Sequence, residues 1–135
     1  MAGEQSFTVK KTISGPGPTV GGIDAVIPAD GNKGFQKTIA ANTVDGRITL
    51  DLDISTIQVI GIEANQDCDV YTNAIHSGSP DDHLVLKANK PLLWNINDPA
   101  GMLFLTVDVT DLYVTTGSND TILKLICGLD ETPVL

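Results

Sequence analysis

The clearest alternation of apolar and polar residues in the chain begins at Arg47. Over residues 47–54 the two kinds of residue alternate without a break, and the apolar positions are Ile48, Leu50, Leu52 and Ile54. Successive side chains of a β-strand point to opposite faces, so this period of two predicts a half-buried strand. Residues 56–64 are β-branched or apolar on both faces, which indicates a central strand, and residues 67–73 alternate again. We therefore predict an antiparallel meander of three consecutive strands.

The same strand signals recur before and after this stretch. The further predicted strands are residues 7–13, 35–41, 83–88, 92–96, 102–109 with 111–115, and 121–129. Turn-forming residues separate them, including the hairpin-favouring pair Asp45-Gly46. Eight to ten short strands and no convincing helix predict an all-β fold, an antiparallel β-sandwich that is jelly-roll-like.

The apolar positions of the predicted strands define the expected core. These positions are Ile48, Leu50, Leu52, Ile60, Ile62, Val70, Leu84, Leu86, Leu92, Trp94, Leu123 and Leu125. We expect residues 35–129 to form the sandwich core of a single domain. Residues 1–34 are expected to add an N-terminal strand and an extended arm to the same domain, and residues 130–135 a C-terminal tail.

A long segment rich in glycine and proline follows the first predicted strand. Its Gly15-Pro16-Gly17-Pro18 run is not expected to be regular, because the prolines lack donors and the glycines loosen the backbone. We predict a long N-terminal loop or arm with one short extended piece at residues 23–27. Loops of this length are usually functional or bound to a partner, although a mobile surface loop is the alternative. The candidate interaction residues in the arm and tail are Gly15, Pro16, Gly17, Pro18, Ile23, Pro28, Pro133 and Leu135.

The chain is strongly acidic. Eight lysines and arginines stand against 17 aspartates and glutamates, which gives a formal net charge of −9. Nucleic-acid binding depends on basic side chains that neutralise phosphates, so we expect no nucleic-acid partner. The acidic charge also disfavours an anionic membrane surface, and no run approaches the roughly 18 apolar residues of a spanning helix, so we expect no membrane partner. An acidic surface suits a basic or cation-bridged partner.

The two cysteines, Cys68 and Cys127, lie in separate predicted strands. They are too few for a disulfide-stapled scaffold and lack the spacing of a zinc site, so we expect two reduced thiols in the core. A bridge between them would require their Cα atoms to lie within about 7 Å, which leaves that alternative open.

Candidate catalytic residues occur only around the loop of residues 74–82. His76 and His83 bracket this loop, and Ser77, Ser79, Asp81 and Asp82 lie within or beside it. A Ser-His-Asp set can be assembled from these residues, but the members of a catalytic triad normally converge from different elements. We therefore expect no catalytic residues and predict that the protein is not an enzyme.

Oxygen ligands for a metal are also concentrated in acidic pairs. Asp81 and Asp82 are weak calcium candidates, because Ca²⁺ takes carboxylate oxygens but no EF-hand loop is present. We expect no resident metal and no cofactor. Trp94, Tyr71 and Tyr113 are candidates for a sugar-stacking platform. Trp94, however, is in phase with its apolar neighbours, which favours the core for it.

Three segments resemble small structural proteins of tailed bacteriophages. They are DCDVYTN at residues 67–73, SPDDHLVLKANKPLLWN at residues 79–95 and VDVTDLYVT at residues 107–115. The resemblance covers about half of the chain and consists of residues that build a fold. It implies a virion component, a capsid decoration (cement) protein on the surface of the phage head, assembled in the bacterial host cytoplasm.

The resemblance also implies partners. A decoration protein would form a homo-oligomer, with a trimer favoured, and would bind the major capsid protein or another virion protein. The alternative is a ligand-binding module, carbohydrate-binding or calcium-dependent, on a phage tail or a cell-surface assembly.

Overall fold

The computed structural model describes residues 5–21 and 25–131. This part of the chain forms twelve strands and two short 3₁₀ turns, at Ile54–Thr56 and Ala100–Met102. The strands are β1 (Gln5–Val9), β2 (Thr12–Gly15), β3 (Gly17–Gly21), β4 (Ala25–Ala29), β5 (Gly31–Ile39), β6 (Gly46–Leu52), β7 (Ile57–Ala64), β8 (Cys68–Thr72), β9 (His83–Leu86), β10 (Leu92–Asn95), β11 (Val109–Thr116) and β12 (Thr121–Leu129). The predicted all-β class is confirmed.

Strands β5 to β12 form two four-stranded antiparallel sheets that pack together as a sandwich. Sheet I has the order β10-β7-β12-β5, and sheet II has the order β6-β11-β8-β9. The pairs β5·β12, β6·β11, β7·β10 and β8·β9 are nested along the chain. Such nesting describes one long hairpin that has been rolled up, which is the jelly-roll arrangement predicted above.

The predicted meander of three consecutive strands is wrong. Residues 47–54 and 67–73 contribute β6 and β8 to sheet II, whereas β7 between them belongs to sheet I. The chain crosses between the sheets at the 3₁₀ turn after β6, where the Asp53 carboxylate accepts hydrogen bonds from the backbone and hydroxyl of Ser55. Asp45-Gly46 likewise joins β5 of sheet I to β6 of sheet II and does not form a hairpin.

Two predicted strands also have different limits. Met102 ends a 3₁₀ turn, residues 103–108 are irregular, and β11 begins only at Val109. Asp82 holds this irregular segment, because its carboxylate accepts hydrogen bonds from the backbone and hydroxyl of Thr106 at 2.8 and 2.9 Å. The predicted first strand, residues 7–13, is divided between β1 and β2.

The core between the two sheets follows the predicted pattern closely. Every predicted core residue is buried except Leu92, which is partly buried and packs against the core. Trp94 is among the buried residues, and its indole Nε1 donates a hydrogen bond to the carbonyl of Pro99. The further buried residues of this core include Ile57, Leu105, Val109, Leu112, Val114 and Leu129.

Strands β1 and β4 form an additional antiparallel pair on the outer face of sheet I. Ile27 and Val9 are buried there against Val59 of β7, with Phe7 packed beside them. Gly128 of β12 makes this contact possible, because a Cβ atom at that position would lie 2.7 Å from the Phe7 ring and 2.8 Å from Val59. Residues 25–29, which we predicted as part of the extended arm, are thus a strand packed on the sandwich, and for them the prediction of an arm is wrong.

Candidate binding surfaces

Strands β2 and β3 form a two-stranded ribbon that pairs with no other strand in the described part of the chain. Its tip carries Gly15, Pro16, Gly17 and Pro18, all of them exposed. The prediction that this run is irregular is wrong, since Gly15 pairs with Gly17 around Pro16. The tip position of Pro16 requires no backbone donor, which explains why the proline is compatible with the hairpin.

The remaining interaction candidates lie elsewhere. Pro28 is exposed on β4, opposite Ser6 of β1. Proline is tolerated there because a two-stranded sheet consists of edge strands only. Ile23, Pro133 and Leu135 lie outside the described residues.

Sheet I has an apolar stripe on the half of its outer face next to the β1–β4 pair. The stripe is one residue from each strand in register: Leu93, Gly61, Ile126 and Gly34. Leu93 is 39% exposed and Ile126 is 57% exposed, and both line a shallow cleft of about 350 Å³ beside Pro91. The two glycines of the stripe have no side chains, so Leu93 and Ile126 have no side-chain neighbour within it on either side of Gly61.

The outer face of sheet II carries a row of different chemistry. Arg47, Tyr113, Tyr71 and His83 follow one another across β6, β11, β8 and β9 in register. His76 joins them from the loop between β8 and β9, so this face holds both tyrosines and both histidines of the chain. We call these five residues the aromatic row.

The rings of the aromatic row are ordered by contacts with one another and with carboxylates. Tyr71 and His83 stack with centroids 4.3 Å apart and planes at 18°, while His76 lies 6.0 Å from Tyr71 at 48°. His83 Nε2 lies 2.9 Å from the Asp69 carboxylate, and His76 Nδ1 lies 2.7 Å from that of Asp45. Each imidazole is therefore held in place from two sides.

Electrostatics fixes the donors and acceptors of this face. Partial desolvation, together with the charges of Asp69 and Asp45, raises the pKa of Tyr71, so its phenol stays protonated at neutral pH. Arg47 Nε donates a 2.8 Å hydrogen bond to Asp111, which raises the pKa of Arg47 and lowers that of Asp111. The face thus offers ring faces, a phenol donor and a series of acceptor oxygens.

The structure does not assemble the Ser-His-Asp set of the loop. The carboxylate partners of His76 and His83 are Asp45 and Asp69, and neither serine hydroxyl is among their hydrogen-bond partners in the described part of the chain. Both imidazoles are partly exposed, and these carboxylates hold their orientation at the surface. That the protein is not an enzyme stays a prediction.

Asp81 and Asp82 serve as hydrogen-bond acceptors within their loop. Asp81 accepts from the side-chain amide of Asn73 at 2.7 Å, and Asp82 accepts from Thr106. Within residues 5–21 and 25–131, no group of three or more His, Cys, Asp or Glu side chains is placed to hold a metal ion. A calcium site at Asp81 and Asp82 stays a prediction, and the described residues supply no ligand set for it.

Cys68 and Cys127 are free and buried, on the inner faces of sheets II and I respectively. Burial raises the pKa of Cys68 to about 11 and that of Cys127 to about 12. Both thiols therefore remain protonated and unreactive at neutral pH. The predicted core thiols are confirmed.

The sequence predicts only part of the aromatic row. Tyr71 and Tyr113 are predicted candidates for a platform together with Trp94, but Trp94 is buried on the other sheet. The period of two places Tyr71, Tyr113 and His83 on the outward phase of their strands. Their adjacency depends on the pairing of β8 with both β9 and β11, which no local signal specifies.

No protein-family model, no curated protein and no solved structure matches this chain. Among the described residues, no helix is long and apolar enough to span a membrane.

Proposed function

We propose that this chain is a non-enzymatic structural protein of a virion, a capsid decoration protein that self-associates on the surface of a phage head. The observation that carries the proposal is the β2–β3 ribbon, whose outer edges pair with no other strand among the described residues. The resemblance of residues 67–73, 79–95 and 107–115 to small phage structural proteins agrees with this role.

A free ribbon of this kind is suited to docking. A two-stranded hairpin alone is marginally stable in water, so it gains most from a third strand. Its outer edges present backbone donors and acceptors that a strand of a neighbouring subunit can pair with. The exposed Gly15, Pro16, Gly17 and Pro18 at its tip add little side-chain bulk, which allows close approach to a lattice.

The apolar stripe of sheet I supplies a second contact. Ile126 and Leu93 are large and exposed, and burying such side chains between copies stabilises an oligomer. We propose that the stripe lies in the interface of a trimer and that the ribbon reaches the major capsid protein or another virion protein. A net charge of −9 suits a basic or cation-bridged surface on that partner.

The test is a variant in which residues 10–24 are replaced by Asn-Gly. Val9 pairs with Ala25, so a two-residue turn can close β1 and β4 directly and leave their buried side chains in place. We expect the variant to keep the thermal midpoint and the oligomeric state of the parent protein. It should fail to cosediment with heads of the phage that carries the gene, whereas the parent protein binds them.

Light scattering with and without EDTA separates this proposal from its alternative. A trimer that is insensitive to chelation supports the decoration protein. A monomer that loses stability in EDTA would favour a calcium-dependent ligand-binding module instead. Full head binding by the variant that lacks the ribbon would refute the docking role of β2–β3.

A further inference from the structure

We propose that Lys11 and Asp98 form a joint that sets the direction of the β2–β3 ribbon, so that the ribbon is an oriented arm whose direction depends on an ion pair. The Lys11 ammonium lies 3.2 Å from the Asp98 carboxylate, although the two residues are 87 positions apart. Asp98 lies in the loop after β10, an edge strand of sheet I, so this contact ties the base of the ribbon to that edge. This role of the ion pair does not depend on which surface the ribbon docks on.

The joint lies where one pair of strands gives way to the next. The register of β1 with β4 ends at Val9, and the register of β2 with β3 begins at Thr12 and its partner Gly21. Lys10 and Lys11, between these two registers, belong to no strand. Strand pairing is therefore interrupted on this side of the ribbon, and side-chain contacts at the interruption can decide the direction in which the ribbon leaves the sandwich.

Asp98 is a fixed anchor, because its own turn holds it. Its carboxylate oxygen Oδ2, which faces Lys11, also accepts a 2.9 Å hydrogen bond from the backbone of Asn95. The backbone N–H of Asp98 donates to the Asn95 carbonyl at 2.8 Å, and Asn95 is only 4% exposed at the end of β10. The hydrogen bond from Asn95, followed by the contact with Lys11, lowers the pKa of Asp98, so the anchor is ionised at neutral pH.

Lys11 is confined on its backbone side as well. Gly21 of β3 has a φ of +89°, and a Cβ atom at this position would overlap the carbonyl oxygen of Lys11. Glycine is therefore needed for the close approach of the two segments at the base of the ribbon. The backbone of Lys11 thus lies against β3 while its side chain reaches Asp98, which is why we assign the direction of the ribbon to this residue.

The exposure of the ion pair sets the size of its effect. The Lys11 side chain is 51% exposed and that of Asp98 is 27% exposed. A pair at such a site shifts an equilibrium by no more than about fivefold, and salt screens it. The joint therefore favours one direction of the ribbon without locking it. A partner that requires this direction binds more weakly in proportion to the fraction of ribbon that leaves it.

The experiment uses the full chain with a fluorophore at the tip of the ribbon. Gly17→Cys supplies an exposed thiol for labelling, and an added Cβ atom there meets no atom within 4 Å. The native thiols of Cys68 and Cys127 are buried and do not compete for the label in the folded protein. Time-resolved fluorescence anisotropy then separates swinging of the ribbon from tumbling of the whole particle.

We expect Lys11→Met and Asp98→Asn each to increase the amplitude of the fast, local component of the anisotropy decay. Lys11→Arg keeps the charge and should retain the parent amplitude. Lys37→Met, which removes an exposed lysine from β5, is the matched control and should change nothing. Sodium chloride at about 1 M should loosen the ribbon of the parent protein to the level of Lys11→Met and leave that variant unchanged. The double variant should be no looser than either single one, because both changes remove the same pair.

Thermal unfolding shows whether each variant is folded. If Asp98→Asn disturbs the loop after β10, the comparison of Lys11→Met with Lys11→Arg decides the question. Equal local amplitudes in the parent protein and Lys11→Met would overturn the proposal, as would equal loosening by Lys11→Met and Lys37→Met.

Cosedimentation with phage heads connects the joint to docking, and this measurement alone rests on the proposed function. Lys11→Met should weaken head binding by up to about fivefold, whereas the variant that lacks residues 10–24 should not bind at all. Full binding by the variant that lacks the ribbon would refute docking through the ribbon, while the anisotropy still decides whether the joint exists. Unchanged head binding by a Lys11→Met protein with a loosened ribbon would refute the use of the joint in docking.

Discussion

The outer faces of the two sheets are both built from strands with alternating residues, yet they carry different side chains and are covered differently. The outer face of sheet I carries Gly34, Gly61 and Gly128 beside aliphatic residues and a polar row with Lys124 and Glu63, and the β1–β4 pair covers part of it. The outer face of sheet II carries the aromatic row, and no strand covers it in the described part of the chain.

The contrast shows how outward positions decide the use of a sheet. Glycine at an outward position lets another backbone or ring approach closely, as Gly128 does for Phe7. Aromatic and charged side chains with hydrogen-bonding tips instead keep a face at the surface with its polar groups satisfied. One face therefore accepts further chain, and the other stays at the surface in the described part of the chain.

The largest effect should come from shortening a buried side chain of the β1–β4 pair, which covers part of sheet I. Ile27→Ala removes a side chain that is only 1% exposed between β4 and β7, and we expect a loss of about 2–5 kcal/mol in the free energy of unfolding. The matched change on sheet II is Val85→Ala. Val85 is 53% exposed on the outer face of that sheet, so the effect should stay within about 0.5 kcal/mol.

Urea unfolding followed by circular dichroism measures both variants. Equal, small effects would show that the β1–β4 pair does not unfold together with the sandwich and is a separate appendage. Equal, large effects would show that the face of sheet II is packed against something in solution, such as another copy.

A smaller effect should distinguish the covered half of sheet I from its open half. At Gly128 an added Cβ meets the Phe7 ring and the branched Val59, so Gly128→Ala should destabilise by about 1–3 kcal/mol. At Gly61 it meets only the end of the Leu93 side chain, at 2.9 Å, which can turn away toward solvent. Gly61→Ala should therefore be close to neutral in the same unfolding assay.

Pairing Gly128→Ala with Phe7→Ala tests the cause. If the Phe7 ring is responsible, the double variant should be destabilised by less than the sum of the single changes. Strict additivity would place the cost of Gly128→Ala in β12 itself.

The sequence was sufficient for the fold class and the core because both depend on a local period. The alternation at Ile48, Leu50 and Leu52 specifies one buried face whichever strand lies next to it. The same information cannot say which strands pair. The crossing at residues 54–56 looks like a short polar turn of a meander, and only the nested long-range pairs show that it joins two sheets.

The candidate site was predictable only in its parts for the same reason. Tyr71, Tyr113 and His83 can each be placed on an outward phase from the sequence. Their alignment arises from a pairing between residues more than 40 positions apart, Tyr71 with Tyr113. The carboxylate partners of the histidines, Asp45 and Asp69, lie in other segments of the chain and carry no motif that connects them with an imidazole.

The smallest effect concerns the ion pair of Arg47 and Asp111 on the face of sheet II. The Arg47 guanidinium lowers the pKa of Asp111 below its usual 3.8, so the folded state favours the ionised carboxylate. This contribution to stability is present above pH 3.8 and is lost as the pH falls through the lower, folded-state pKa. Asp111→Asn should therefore lower the urea midpoint slightly at pH 7 and bring no further loss in acid.

The pH series decides whether charge or packing is responsible. The midpoints of Asp111→Asn and the parent protein should converge as the pH falls through the lowered pKa of Asp111 in the folded state, because the parent carboxylate is then protonated as well. Arg47→Met should behave like Asp111→Asn at pH 7, and combining the two should add little, since each removes the same ion pair. A gap between the midpoints that stays constant from pH 7 into acid would mean that Asp111 acts through its hydrogen bonds and shape. The charge interaction between Arg47 and Asp111 would then not explain the contribution of Asp111 to stability.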